Sequence, residues 1–313
     1  MDALSHLLQL ARVQVRLDKR CLLGGVFALP HDAAPQAAFF HLVLRGRCQL
    51  QLDGRLLPLE EGDWLLLPQG NAHGMVHVAT QGLPQARARA PVLLQPGTAL
   101  ALHSNVGAQG SASVELLCGS YSYARGAGQL LSQWLPPLLR VNLFHRGDPP
   151  GLQALLAWLR REAQGPAQPG AQAVLDGLGQ ALLALALRAA PQAELPSGLL
   201  PLLADVRLAP SLHALLADPG QPWTIATLAE TVAMSRATYA RRFQALAGCG
   251  VAECVLRVRT LQACAWLADG QRSVADVATA VGYGSKAAFA TAFKRVLGQT
   301  PARWRRLQGS TAP

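Results

Sequence analysis

An α+β chain is predicted, with a small β-barrel or sandwich at the N-terminus, helices after it, and an all-α C-terminal third. Three observations lead there. The stretch FFHLVLRGRCQLQLDGRLLPLEEGDWLLLP alternates apolar and polar residues around turn signals at Arg45-Gly46, Asp53-Gly54 and Glu61-Gly62. That period of two belongs to strands buried on one face. From Gly128 the apolar spacing becomes helical, and residues 224–243 recur in kind at 273–293. A length of 313 residues makes two domains the natural division.

Residues 1–123 read mostly as short strands between turns, the pattern of a barrel or sandwich. In the next stretch Leu152, Leu155, Leu156 and Leu159 sit at helical spacing, the segment GPAQPG (165–170) breaks the run, and a second helix follows over 171–189. Apolar helix pairs in this position suit packing on each other or on a second copy, so a homodimer is expected. Pro210 suits the first turn of a further helix, which DPGQP ends. The expected boundaries are 1–127 for the strand-rich N-terminal domain, 128–205 for a helical connecting and dimerisation region, and 206–313 for the C-terminal domain.

Half of the residues are apolar, ample for a packed core. No apolar run reaches membrane-spanning length, and ALLALALRAA (181–190) is interrupted by Arg188. The opening ten residues lack the basic start of a secretory leader. A cytoplasmic protein with no membrane partner is expected. The formal charge of +10 is uneven: residues 206–313 hold 13 Lys or Arg against 5 Asp or Glu, the first 205 hold 15 against 13. A basic C-terminal third points to a polyanionic partner. Six cysteines without CxxC or CxxxH spacing argue against a zinc knot and against a secreted disulfide scaffold. Cys48, Cys254 and Cys264 read as packing thiols.

The repeat carries the functional reading. Thr224 and Ser273 are positioned as helix N-caps; Ile225, Leu228, Ala229 and Val232 match Val274, Val277, Ala278 and Val281. Tight turns follow at Ala233-Met234 and Gly282-Tyr283, then caps at Ser235 and Ser285. This is helix, turn, helix, twice. In the later copy Phe289, Ala292, Phe293 and Val296 share one face; Tyr239, Phe243 and Leu246 do so in the earlier copy. The opposite faces present Arg236, Ala237, Ala240, Arg241 and Gln244, and Lys286, Ala287, Ala290, Thr291 and Lys294. Small residues let a helix approach a major groove, while Arg, Lys, Thr and Gln can donate to phosphates and base edges. A helical run over 251–268 spans about 27 Å, long enough with its flanks to set two helices in successive major grooves about 34 Å apart. Double-stranded DNA is the expected partner.

RTLQACAWL, with Arg259, Ala263 and Leu267 at R-x-x-x-A-x-x-x-L spacing, and VADVATAVGYGSKAAFATAFKRVLGQTPARWR resemble the AraC/XylS-type transcription regulators. Thr300, Pro301, Trp304 and Arg305 continue the likeness. The resemblance implies a twin helix-turn-helix domain joined by a linker helix, and an activator acting with RNA polymerase rather than an enzyme. It implies that Ala237, Ala240 and Arg241 in one helix, and Lys286, Ala287, Ala290 and Thr291 in the other, face bases. Ala233 departs from the glycine common at the first turn.

Gly62, Pro68, Gly70, His73 and His77 in GDWLLLPQGNAHGMVH resemble the second cupin motif, with His77 where that motif has Asn. A cupin-like barrel is implied. The first motif's ligand triplet is missing, and His41 lies on a nearby strand, so His41, His73 and His77 are the candidate ligands for a divalent metal. The segments MDALSHLLQL, LDKRCLLGG and VELLCGSY resemble a reactive-chlorine-sensing subgroup, which implies redox roles for Cys21 and Cys118. Lys19 and Arg20 beside Cys21 are expected to favour its thiolate. The alternatives are a ligand or metal sensor without thiol chemistry, and a cupin metalloenzyme with a DNA-binding tail.

Overall fold

The computed structural model describes residues 1–77, 92–95, 99–106, 111–124, 126–144, 150–166, 168–190, 195 and 197–309. Its first element is a helix rather than a strand. In α1 (Ala3–Leu10) the Asp2 carboxylate accepts from the Ser5 amide, and Ala3, Leu7 and Leu10 are buried one turn apart. Strands follow: β1 (Gln14–Leu23), β2 (Phe27–His31), β3 (Ala37–Arg45), β4 (Cys48–Leu52), β5 (Arg55–Leu59), β6 (Asp63–Leu67), β7 (His73–His77), β8 (Val92–Gln95), β9 (Ala101–Ser104) and β10 (Val114–Ser122). Each turn foreseen from sequence has its left-handed residue: Gly46, Gly62, and both Asp53 and Gly54. Positive φ at two successive residues is what the tight β4–β5 hairpin requires.

After α2 (Ala127–Trp134) comes β11 (Leu139–Asn142), a strand inside the stretch expected to be helical. It pairs with β6, and its Arg140 holds the buried Asp63 carboxylate at 2.6 Å. The partner strand and the buried acid, both far away in sequence, override the local pattern. Two sheets result, ordered β11-β6-β3-β10-β1-β9-β8 and β2-β7-β4-β5. Between them lies a core of Leu23, Phe27, Leu29, Val43, Leu50, Leu65, Met75 and Leu116 with Cys21, Cys48 and Cys118. Each large aliphatic or aromatic side chain there contributes about 1.5–3 kcal/mol.

Helices α3 (Pro150–Gln164) and α4 (Ala171–Ala189) pack together, and α4 lies on β1. Gly179 permits that approach: a Cβ there would meet Val15 Cγ2 at 2.8 Å, and the Tyr121 hydroxyl donates to its carbonyl at 3.0 Å.

The remaining helices are α5 (Leu199–Ala204), α6 (Ala209–Ala217), α7 (Ile225–Glu230), α8 (Arg236–Ala247), α9 (Val251–Asp269), α10 (Val274–Ala280), α11 (Lys286–Leu297) and α12 (Pro301–Gly309). The chain forms two compact units. One comprises Gln14–Ser122 and Pro137–Ala190; the other comprises Met1–Val13, Tyr123–Pro136 and Pro191–Pro313. In the second, α9 is the hub against which α2, α10, α11 and α12 pack, and α1 rests on α6 and α9.

Candidate functional site

The two helix-turn-helix copies superpose in sequence at the level of single caps. Thr224 and Ser273 each form a capping box, with Thr227 and Asp276 as the third-position partners. The Ser235 and Ser285 side chains accept from the amides of Thr238 and Ala288 and start α8 and α11. Both helices end on a left-handed glycine, Gly248 and Gly298. Their inner faces anchor them: Tyr239, Phe243, Phe289 and Phe293 are at most 2% exposed. The Tyr239 hydroxyl also pairs with Ser211 at 2.9 Å. On the outer faces Arg236, Ala237, Arg241, Gln244, Lys286, Ala287, Thr291 and Lys294 are exposed, and Ala240 and Ala290 are half-buried. Among the described residues none of Arg236, Arg241, Lys286 and Lys294 forms an ion pair. By contrast Arg242 is held by Asp205 and Arg295 lies 3.8 Å from Glu253.

Arg259 explains the spacing pattern of the linker helix. It donates to the carbonyls of Pro219 at 2.9 Å, Gln221 at 2.7 Å and Gly282 at 3.3 Å, and its guanidinium lies 5.5 Å from the centre of the Tyr283 ring. One side chain thereby joins the segment leading into α7 to the turn between α10 and α11. Ala263 and Leu267, on the same stripe, are buried, as is Trp304 against Phe293. Arg305 binds the carbonyls of Gly270 at 2.7 Å and Arg272 at 3.0 Å. At the turns, Gly282 has φ +86° and Ala233 takes φ +52°.

The second candidate site is inside the barrel. Strand alternation sends Lys19, Cys21 and Leu23 of β1 to one face, Leu116 and Cys118 of β10 to the same interior, and Arg20 to the other side. There Arg20 pairs with Glu115 at 2.8 Å, so of the two expected cations only Lys19 acts on Cys21. Sheet register sets Lys19 opposite Cys118, Cys118 opposite His41, and His31 opposite His73. His41 Nδ1 lies 3.1 Å from Cys118 Sγ, and His41 Nε2 lies 2.7 Å from His73 Nε2. His31 stacks on His73, ring centres 4.7 Å apart, and stands edge-on to His41 at the same distance. His77 is elsewhere, against Phe27 and the Gly25 carbonyl. Four residues along a strand is about 13 Å, so the expected trio of His41, His73 and His77 does not converge. His31, which sequence reasoning passed over, takes the third place. Its signal was present in the Phe27, Leu29, His31 alternation of β2.

Burial lowers the pKa of all three imidazoles: His31 falls to about 3, His41 lies well below the usual range, and His73 is lowered despite its backbone bond. Neutral rings fix the hydrogens. His73 Nδ1–H donates to the Asn71 carbonyl at 2.8 Å, which leaves its Nε2 an acceptor. His41 Nε2–H must then be the donor between the two rings, and His41 Nδ1 is a bare lone pair aimed at Cys118. Cys118 also hydrogen-bonds Cys21, so its one proton has two acceptors. That bond, with burial, raises Cys118 well above the thiol range. The same bond lowers Cys21, with burial opposing and Lys19 assisting. Cys48 is buried and pushed up to about 12 by desolvation; Cys254 and Cys264 are raised for the same reason.

Two anchored helices with free cationic faces, carried on one chain with a small β-barrel, define a helix-turn-helix DNA-binding regulator. A cupin family model matches residues 2–191, and a helix-turn-helix domain model matches residues 228–307. A putative AraC-like transcription regulator of Streptomyces lividans is 34% identical over 319 residues, 98% of each chain. An HTH-type transcriptional regulator of Haemophilus influenzae is 33% identical over 308 residues, 98% of this chain and 99% of its own. The RCS-specific HTH-type transcriptional activator RclR of Escherichia coli is 28% identical over 316 residues, the full length of both. The chain belongs to the AraC-like family of transcription regulators, with an N-terminal cupin domain. These relatives are named as regulators and not as enzymes. Among the described residues no helix is long and apolar enough to cross a membrane.

Proposed function

We propose that the protein is a transcription activator that reads its promoter through the outer faces of α8 and α11 and responds to oxidants through Cys21 and Cys118. The observation that carries the DNA reading is the pair of exposed cationic faces, Arg236 and Arg241 on one helix, Lys286 and Lys294 on the other, without ion-pair partners among the described residues. In this reading Arg241, Lys286 and Thr291 would meet base edges, and Arg236, Gln244 and Lys294 phosphates. Ala237, Ala240, Ala287 and Ala290 allow close approach. Residues 206–313 bind DNA and contact RNA polymerase, residues 1–127 receive the signal, and α3 and α4, within 128–205, pair two copies.

The oxidant reading is supported by two thiols in hydrogen-bond contact on paired strands, one of them lowered toward its thiolate. Hypochlorous acid would transfer Cl⁺ to the Cys21 thiolate and release hydroxide. The Cys118 sulfur would then displace chloride, losing its proton and closing a disulfide. Cys21 stands opposite Leu116, so Cys118 is its diagonal neighbour. Diagonal Cα separations are about 7–8 Å and a disulfide favours less than about 6.8 Å. Closure would therefore draw β1 and β10 together.

Genome-wide footprinting with and without hypochlorite tests both halves. Oxidant-dependent occupancy that Cys21→Ser and Cys118→Ser abolish is expected. Normal induction in both variants would overturn the oxidant reading and leave the DNA reading standing; absence of footprints in any state would overturn the latter.

A further inference from the structure

We infer that His31, His41 and Cys118 form a zinc centre inside the barrel, with His73 orienting His41 from behind. The inference goes beyond the oxidant reading and does not rest on it.

One donor atom from each of His31, His41 and Cys118 lies within 4.8 Å of the others. Tetrahedral zinc, with nitrogen at about 2.0–2.1 Å and sulfur at about 2.3 Å, separates its donors by about 3.3–3.7 Å. The 3.1 Å from His41 Nδ1 to Cys118 Sγ is already close to that spacing, and the His31 donor lies within 4.8 Å of both. His31 Nδ1 is buried without a hydrogen bond of good geometry, and the ring also interacts with the Leu29 backbone. The hydrogen-bond chain runs the right way for ligation. The Asn71 carbonyl fixes His73, His73 fixes the Nε2–H of His41, and the lone pair left on His41 Nδ1 faces the sulfur. Such outer partners set the tautomer and orientation of metal-bound imidazoles.

Two imidazoles and a thiolate suit zinc rather than magnesium or calcium, which select oxygen donors. Binding replaces the Cys118 S–H by a Zn–S bond and releases that proton to solvent. The thiolate charge matters here, because Lys19 shares this face and would oppose a dication held by neutral ligands alone. Three protein ligands leave the fourth position open.

Full-length protein stripped with a chelator and titrated with cobalt(II) tests the assignment. One equivalent should bind with the visible bands of tetrahedral cobalt and a thiolate-to-metal charge-transfer band, and one equivalent of zinc should remove both. Cys118→Ser should lose the charge-transfer band. His31→Gln should weaken binding by at least about tenfold, the lower end of what outer-shell changes alone produce. His77→Gln should bind as the parent does. Circular dichroism confirms folding, and His31→Gln, at the end of its strand, keeps the test open if Cys118→Ser fails to fold. Absence of tetrahedral bands at equimolar cobalt would overturn the assignment, as would an unchanged spectrum and affinity in Cys118→Ser and His31→Gln.

Discussion

Ala233 occupies a backbone conformation that costs a non-glycine residue about 1–2 kcal/mol, whereas its counterpart Gly282 occupies it freely. Glycine adds about 0.4–1 kcal/mol of unfolded-state entropy, less than the relief. Ala233→Gly is therefore expected to stabilise the protein by about 0.5–1 kcal/mol in urea unfolding; a lower midpoint would contradict this. Cys48 gives a pH signature. Its folded pKa, raised to about 12, exceeds the ordinary value near 9, so the folded state keeps the proton longer. The resulting stability is complete below about pH 9 and is lost as pH rises toward 12, at up to about 1.4 kcal/mol per pH unit. Cys48→Ala should flatten the alkaline limb of a stability–pH curve. At this scale the sequence was readable where one helical period decides inside from outside, as for Phe289 against Lys286. It misled where depth matters. Arg20 adjoins Cys21 in sequence but points the opposite way, and His73 and His77 share a face yet stand too far apart to meet.

The helices are bounded by side chains that a reader of the sequence can find. Ser285 caps α11 through the Ala288 amide at 3.1 Å, and Ser285→Ala should cost about 1 kcal/mol while weakening DNA binding by loosening the helix start. Arg259 is different in kind. Its spacing with Ala263 and Leu267 was visible, but its three carbonyl partners come from segments 40, 38 and 23 residues away. Arg259→Ala should lower stability by about 2–3 kcal/mol, with the loss visible in thermal unfolding before DNA is added. The elements that escaped the sequence reading share a cause. For α1 the signal is eight residues long and hangs on one Asp2 cap, and for β11 it is four residues whose partner strand lies more than 70 residues earlier. Short elements are decided by what they pack against.

For the molecule as a whole, binding should weaken steeply with salt, since each neutralised phosphate releases condensed counterions. Arg241→Ala is expected to cost about 1–3 kcal/mol on the operator and to relax specificity at one position if it reads a base; a uniform loss on all sequences would mark a phosphate contact. Lys294→Ala should reduce the salt slope by about 1 with little change in preference. With α9 about 28 Å long, protection in two successive major grooves is the footprint to look for. A single protected groove would mean that one helix-turn-helix copy is idle.

Met1–Val13 and Tyr123–Pro136 belong with the helix-turn-helix unit, so the polypeptide passes between units at four places, among them the ends of β1 and β10. A gene fragment starting at codon 206 would discard Leu7, Leu10, Leu130 and Leu131, all buried in the intact chain, and expose to water the surfaces they cover. Laboratories wanting an isolated promoter-binding piece should expect that fragment to be less soluble and less heat-resistant than the intact protein.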